Sequence, residues 1–87
     1  MQNQLRRLLE TCPFMGNRKA GYQAGVRCVM SGLHGIRYDL SSDNLKSLMQ
    51  RMMVKTKKNP RRPIDEGFNE GLKKAMEEIK KMEEKHV

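Results

Sequence analysis

The chain has 87 residues, of which 18 are Lys or Arg and 10 are Asp or Glu, giving a formal net charge of +8 at pH 7. A chain of this length predicts one domain, spanning residues 1–87, with a thin hydrophobic core. It has no apolar run long enough to cross a membrane, no apolar signal-peptide segment near its start, and only two cysteines, so we expect a reduced cytoplasmic protein without a disulfide framework.

The first predicted helix covers residues 2–11, where apolar residues recur at helical spacing. Its apolar face consists of Leu5, Leu8, Leu9 and Cys12. Pro13 ends this helix because proline disfavours the helical conformation of the residue before it. We expect Phe14 and Met15 to fold back onto the domain as an apolar plug.

The second predicted helix covers residues 18–33, with Asn17 as its N-cap. Gly32 and Gly35 are expected to end it, since glycine commonly follows the last helical residue. Its core-facing residues are Tyr22, Val26, Val29 and Leu33. Residues 36–40 alternate apolar and polar side chains, but a single such run has no partner strand, so we predict a loop there.

A third helix is predicted to start at Ser41 or Ser42, either of which suits an N-cap, and to end near Lys55. Its apolar face consists of Leu45, Leu48, Met49, Met52 and Met53. Residues 55–63 (KTKKNPRRP) contain two prolines and no large apolar residue, which predicts a basic loop. Pro63 suits the first turn of a fourth, amphipathic helix that extends to the end of the chain. The apolar stripe of that helix consists of Phe68, Leu72, Ala75, Ile79 and Met82.

Two segments of the chain resemble each other, residues 20–33 and residues 66–79, at an offset of 46. The matched positions include Gly21 with Gly67, Tyr22 with Phe68, Gln23 with Asn69, Gly25 with Gly71, and Val26 with Leu72. The interpretations are a duplicated helical unit or a chance likeness between two amphipathic helices. A glycine within a helix costs about 1 kcal/mol relative to alanine, so we expect these glycines to allow close backbone approach. The predicted fold is an all-α bundle of about four helices, in which the two long GxxxG-bearing repeat helices pack on each other or on a shared core.

No set of residues in the sequence predicts catalysis. A nucleophile needs a base within hydrogen-bond reach, and the histidines are His34, at a predicted helix end, and His86, near the C-terminus. The spacing of Cys12, Cys28 and His34 does not match a zinc-ligand pattern, and the glycines lack the context of a phosphate-binding loop. We therefore predict a protein that is not an enzyme and has no metal or cofactor.

Positive charge is concentrated in the first part of the chain. Thirteen Lys or Arg and three Asp or Glu give residues 1–62 a net charge of +10, whereas five Lys and seven Asp or Glu give residues 63–87 a net charge of −2. The densest cluster comprises Arg51, Lys55, Lys57, Lys58, Arg61 and Arg62. Residues that could extend this surface are Arg6, Arg7, Arg18, Lys19, Arg27 and Arg37. Lysine supplies point charges and arginine a planar fork, so the cluster suits phosphate groups. The alternative interpretation is a solvated, flexible loop between helices.

Three functions fit these features. The first is a small non-catalytic module that binds nucleic acid or a nucleoprotein complex through residues 51–62. The second is an adaptor or inhibitor that docks on a larger protein with an acidic surface. In its size, its methionine content and its lack of catalytic residues, the chain is similar to small accessory proteins of bacteriophages and mobile elements, some of which block host proteins. The third is a homodimer in which the repeat helices pair between chains. We expect no membrane contact.

Overall fold

The computed structural model describes residues 2–85, with side chains from residue 4 to residue 82. Within this range the chain forms four α-helices and no strand, which confirms the predicted all-α fold. The helices are α1 (Gln2–Glu10), α2 (Gly16–Gly35), α3 (Ser42–Lys55) and α4 (Pro63–Lys85). The predicted continuation of the last helix through His86 and Val87 lies outside the described residues. None of the described helices is long and apolar enough to span a lipid bilayer.

The centre of the fold is the contact between α2 and α4, which are the two repeat helices. Their glycines face each other so closely that neither helix has room for a side chain there. A Cβ atom built on Gly25 would lie 2.9 Å from the amide nitrogen of Leu72 and 3.1 Å from the Cα of Gly71. A Cβ atom on Gly71 would lie 3.1 Å from the amide nitrogen of Val26. The glycines therefore compensate for their weak helix propensity by allowing backbone-to-backbone packing, as predicted.

The two repeat helices run parallel, and their contact is nearly symmetric. Gly21 lies against the backbone of Ile64 and Phe68. Gly25, one turn later, lies against Phe68 and Leu72, so the contact advances along both helices in the same direction. The contacted residues are repeat equivalents of one another: Arg18 and Ile64, Tyr22 and Phe68, Val26 and Leu72. An approximate two-fold axis along the helix pair relates them, as either a duplicated helical unit or two similar amphipathic helices would allow.

Most of the predicted core is confirmed. The buried apolar side chains are Leu5, Tyr22, Val26, Val29, Leu33, Leu45, Leu48, Met52, Leu72, Ala75, Ile79 and Met82. Phe68 is an exception and is only half-buried, because its ring lies at the edge of the core beneath Lys57. The repeat helices cover their apolar faces against each other within one chain. The predicted pairing of these faces between two chains is not seen in this single chain and stays a prediction.

The two shorter helices, α1 and α3, pack on different sides of α2. Gln23 donates a hydrogen bond from Nε2 to the carbonyl oxygen of Leu9 at 3.1 Å, and α1 also packs against α4. Gly32 faces the side chains of Leu48 and Met52 in α3. The nine residues from Gln23 to Gly32 correspond to about two and a half helical turns, which places these two residues on opposite faces of α2. α3 packs on α2, and its backbone comes less close to that of α4.

The start of α2 differs from the prediction. The helix begins at Gly16, whose φ of +63° makes the turn into it, so Asn17 lies in the first turn and Met15 takes the N-cap position. Phe14 packs edge-on against Tyr22, with 5.4 Å between the ring centroids. Met15, in contrast, is 87% exposed. Of the two residues predicted to fold back onto the domain, Phe14 does so and Met15 does not.

The end of α2 also differs from the prediction. The helix continues through Gly32 and ends at Gly35. Gly32 lies within the helix where the absence of a side chain makes room for α3. Arg37 and Tyr38 then adopt left-handed backbone angles, with φ values of 54° and 58°. Residues 36–40 form the predicted loop, which leads into α3.

Candidate nucleic-acid interface

The basic loop between α3 and α4 spans residues 56–62, one residue shorter at each end than predicted, because the flanking residues belong to the helices. The side chain of Asn69 in α4 forms hydrogen bonds with the backbone of this loop. Asn69 accepts a hydrogen bond from the backbone nitrogen of Lys57 at 2.8 Å and donates one to the carbonyl oxygen of Lys57 at 3.0 Å. Asn59 then turns the chain with a left-handed φ of 54°. These contacts favour a defined loop conformation over a flexible one.

The parallel packing of α2 and α4 brings a second group of cations to the end of the bundle where this loop lies. The first turn of α2 lies against α4, since a Cβ atom on Gly67 would lie 2.9 Å from the carbonyl carbon of Arg18. Arg18 and Lys19 are both exposed. The resulting surface, which we call the basic end, comprises Arg18, Lys19, Lys57, Lys58, Arg61 and Arg62. Two carboxylates lie nearby in the first turn of α4, Asp65 and Glu66. The six cations and these two carboxylates have a net charge of +4.

Arg62 forms an ion pair within the chain. It donates a hydrogen bond from Nε to Oδ2 of Asp65 at 3.0 Å and another from Nη2 to Oδ1 at 3.3 Å. This hydrogen bond lowers the pKa of Asp65 and raises the pKa of Arg62. Because its planar fork is occupied, Arg62 is less available to a phosphate than the sequence suggests.

Two aromatic rings at the basic end lie beneath cations. The guanidinium carbon of Arg18 is 4.1 Å from the centroid of the Phe14 ring, and Lys57 Nζ is 5.5 Å from the centroid of the Phe68 ring. Both rings are half-buried. Among the residues that the structure describes, the basic end therefore offers no uncovered ring on which a base can stack. Stacking on Phe14 leaves the in-plane N–H groups of Arg18 free to donate hydrogen bonds.

Lys19, Lys58 and Arg61 are exposed and have no ion-pair partner within the described part of the chain. They lie where the N-termini of two long helices meet at one end of the bundle. Each helix N-terminus carries a partial charge equivalent to about +0.5. The free cations and the helix ends together make this end of the molecule strongly positive.

Two of the predicted cations lie along the side of α2 at some distance from the basic end. Lys55 Nζ lies 3.4 Å from the sulfur of Cys28. A guanidinium nitrogen of Arg51 lies 3.8 Å from the position that a Cβ atom of Gly35 would take. At about 1.5 Å per residue, these contacts lie about 15 Å and about 25 Å along α2 from Arg18. Arg51 in particular lies near the opposite end of the bundle.

The remaining predicted cations are also separate. Arg37 follows the C-terminal end of α2, and Arg27 is exposed near its middle. Arg6 and Arg7 are exposed on α1, which lies on the opposite side of α2 from α3. The structure therefore gathers six of the predicted cations at the basic end, and the other predicted cations lie apart from it along the helices.

Sequence reasoning missed the contributions of Asn69 and Asp65 to this surface. The signal for Asn69 is its match with Gln23 in the repeat, since both amides bond to the backbone of the segment that precedes their helix. The signal for Asp65 is its position three residues after Arg62, a spacing at which helical side chains meet.

Comparisons of the chain with protein-family models, curated protein sequences and solved structures find no match. In the described residues, no three His, Cys, Asp or Glu side chains form a group that could hold a metal ion. The features that bear on function are the charge, geometry and exposure of the basic end.

Proposed function

We propose that the protein is a small non-catalytic module that binds duplex nucleic acid through the backbone phosphates, using the basic end. The observation that carries this proposal is the parallel packing of α2 and α4, because it brings the first turn of α2, with Arg18 and Lys19, to the same end of the bundle as the loop of residues 56–62. Two segments that are remote in the sequence thus contribute to one positive surface. Phosphate contacts of this kind supply essentially all of the sequence-independent affinity of proteins for nucleic acid.

Four side chains are the principal phosphate ligands in this proposal. Lys19 and Lys58 supply mobile ammonium groups, and Arg18 and Arg61 supply planar forks that can span two phosphate oxygens. The backbone N–H groups at the starts of the two long helices are directed toward the same end and favour anions there. Arg62 is paired with Asp65, and the single ammonium group of Lys57 lies over the Phe68 ring, whereas Arg18 keeps its in-plane N–H groups free, so we expect about four phosphate contacts.

The character of the surface favours a duplex over a single strand. Proteins that bind single strands usually stack the bases on exposed aromatic rings. At the basic end, Phe14 and Phe68 lie beneath Arg18 and Lys57. Binding by phosphate contacts alone depends weakly on sequence and strongly on salt concentration.

The test is a titration of labelled duplex DNA, duplex RNA and single strands, followed by fluorescence anisotropy at several salt concentrations. Four contacts with duplex DNA predict a slope of about −3.6 in a plot of log affinity against log salt. In the variant Arg18→Ser/Lys58→Ser/Arg61→Ser the slope should flatten to about −0.9, because three contacts are lost. These side chains are exposed, so the variant should melt near the parental temperature.

The matched control is Arg6→Ser/Arg7→Ser/Arg51→Ser. Both variants change the net charge from +8 to +5, so they differ in where the charge is lost. The proposal predicts nearly parental binding by the control. Equal losses in the two variants would indicate diffuse attraction and refute a site at the basic end. A lack of duplex binding, combined with binding of an acidic protein through the same residues, would favour the adaptor or inhibitor interpretation.

A further inference from the structure

A methionine-lined groove runs between α3 and α4 and has a volume of about 440 Å³. Its apolar wall consists of Met49, Met52, Met53, Leu72 and Met76. Met53 is 71% exposed and Met49 is 36% exposed, so the groove leaves apolar side chains in contact with solvent. Methionine is flexible and polarizable, which suits a surface that adapts to another packed helix.

The groove exists because α3 does not fill its side of the repeat-helix pair. On the other side, α1 packs against both α2 and α4 and buries Leu5 completely. α3 packs on α2, and the groove separates its exposed methionines from α4. The apolar face of α3 is therefore wider than the surface that it covers. The space beside α4 remains open to another helix.

The α4 wall of the groove carries charges of alternating sign. They are Glu70, Lys73, Glu77 and Lys80. Their spacing of three, four and three residues keeps them on one face of the helix. Glu77 has an exposed contact with Lys74 at 3.8 Å, and the other three have no ion-pair partner among the described side chains.

This pattern is self-complementary in the antiparallel sense. Glu70 and Lys80 lie equally far from residue 75 along the chain, and so do Lys73 and Glu77. A second α4 that runs in the opposite direction therefore meets each of these charges with the opposite charge. A second α4 that runs parallel and in register would instead place like charges together. The charges on the rim thus favour one occupant, an antiparallel copy of the same helix.

We infer that the groove between α3 and α4 binds a second copy of this chain, which gives a two-fold symmetric dimer with antiparallel α4 helices. In such an interface each contact occurs twice, once in each direction. The methionines of the two grooves pack between the charged rims. Met76 lies nine residues, or about two and a half turns, from Gly67, so this contact uses the face of α4 opposite the glycine crossing.

Sedimentation equilibrium over protein concentrations up to about 1 mM tests this inference. The parent chain should form a dimer at the upper concentrations. Lys73→Glu places a carboxylate opposite Glu77 of the second copy at two symmetric positions, and it should raise the dimer dissociation constant about tenfold or more. Lys73→Glu/Glu77→Lys restores opposite charges in reversed order, and its dissociation constant should return close to the parental value.

A second pair of variants tests the apolar wall. Met53 and Val54 are 71% and 85% exposed, and of these two residues Met53 lines the groove. Met53→Glu should abolish the dimer, whereas Val54→Glu should leave it intact. Circular dichroism melts of the dilute proteins should show that both variants retain the monomer fold.

Three results would overturn the inference: a monomer at every concentration, a charge swap that fails to restore the dimer, or equal weakening by the two glutamate substitutions. A monomer that still binds duplex nucleic acid would refute the dimer and leave the proposed function intact. The two proposals are therefore tested separately.

Discussion

Replacing Gly71 by alanine tests the packing of α2 against α4 with a single methyl group. The added Cβ would lie 3.0 Å from the carbonyl carbon of Tyr22 and 3.1 Å from the amide nitrogen of Val26. Carbon atoms pack best at about 3.5–4.0 Å. The contacted atoms belong to the backbone, so the clash is relieved only when one helix moves away from the other.

The size of the effect follows from two opposing terms. Alanine improves helix propensity by about 1 kcal/mol relative to glycine. Overpacking typically costs about 1–3 kcal/mol, and a contact with immobile backbone falls at the upper end of that range. We therefore expect Gly71→Ala to lower the free energy of unfolding by about 1–2 kcal/mol. For a domain of this size that corresponds to a fall in Tm of about 5–15 °C in a circular dichroism melt.

Gly35→Ala is the matched control, because its added Cβ would meet only a guanidinium nitrogen of Arg51, at 3.8 Å. Its Tm should be unchanged or higher than that of the parent. Gly32→Ala should fall between the two, since its Cβ would meet movable side chains of α3. A Tm for Gly71→Ala equal to or above that of Gly35→Ala would refute backbone packing at the crossing.

Three further substitutions test the core, the loop and the ion pair. Leu72→Ala removes a side chain that is 3% exposed, so the free energy of unfolding measured with urea should fall by about 2–5 kcal/mol; an unchanged transition would contradict its place in the core. Asn69→Ala removes both hydrogen bonds to Lys57, so the exchange of the Lys57 amide hydrogen should accelerate while α2 stays protected, and uniform acceleration would count against a local role. Asp65→Asn releases Arg62, so duplex affinity should rise and the salt slope should steepen by about 0.9, whereas weaker binding would exclude Arg62 as a potential ligand. Because the hydrogen bond from Arg62 lowers the pKa of Asp65, the stabilisation by this pair is fully present above the ordinary carboxyl pKa and is lost as the pH falls through the lowered value.

The helices and most of the core follow from apolar periodicity, because each helix buries one stripe. The glycine pairs of the repeat also predict the close approach of α2 and α4, since Gly25 and Gly71 would otherwise weaken their helices. The parallel direction of that packing does not follow from periodicity. It depends on α3, which lies between the repeat helices in sequence and returns the chain to the end of the bundle where α2 begins. The sequence predicts a helix end at Gly32, because a glycine that ends a helix and a glycine that makes room for a neighbouring helix have the same sequence signal.

The composition of the candidate site is likewise predictable from the sequence only where its residues are neighbours in the chain. The cluster of residues 57–62 is local in the sequence and is therefore visible without a structure. The addition of Arg18 and Lys19 depends on the parallel packing of two distant segments. Arg51 is close to the cluster in sequence, but the rise of the helix carries it toward the other end of the bundle. The occupation of Arg62 by a carboxylate depends on side-chain geometry, which periodicity and composition do not determine.

Residue-resolved mapping of bound duplex tests the central claim most directly. Backbone amide resonances of the labelled protein are followed by NMR while a short DNA duplex is added at low salt and then displaced by added salt. The account predicts chemical-shift changes centred on residues 16–19 and residues 56–62, which reverse with salt, while the amides of Arg6, Arg7 and Arg51 stay unchanged. Changes centred on α1 or on the middle of α3, or no changes at low salt, would contradict it.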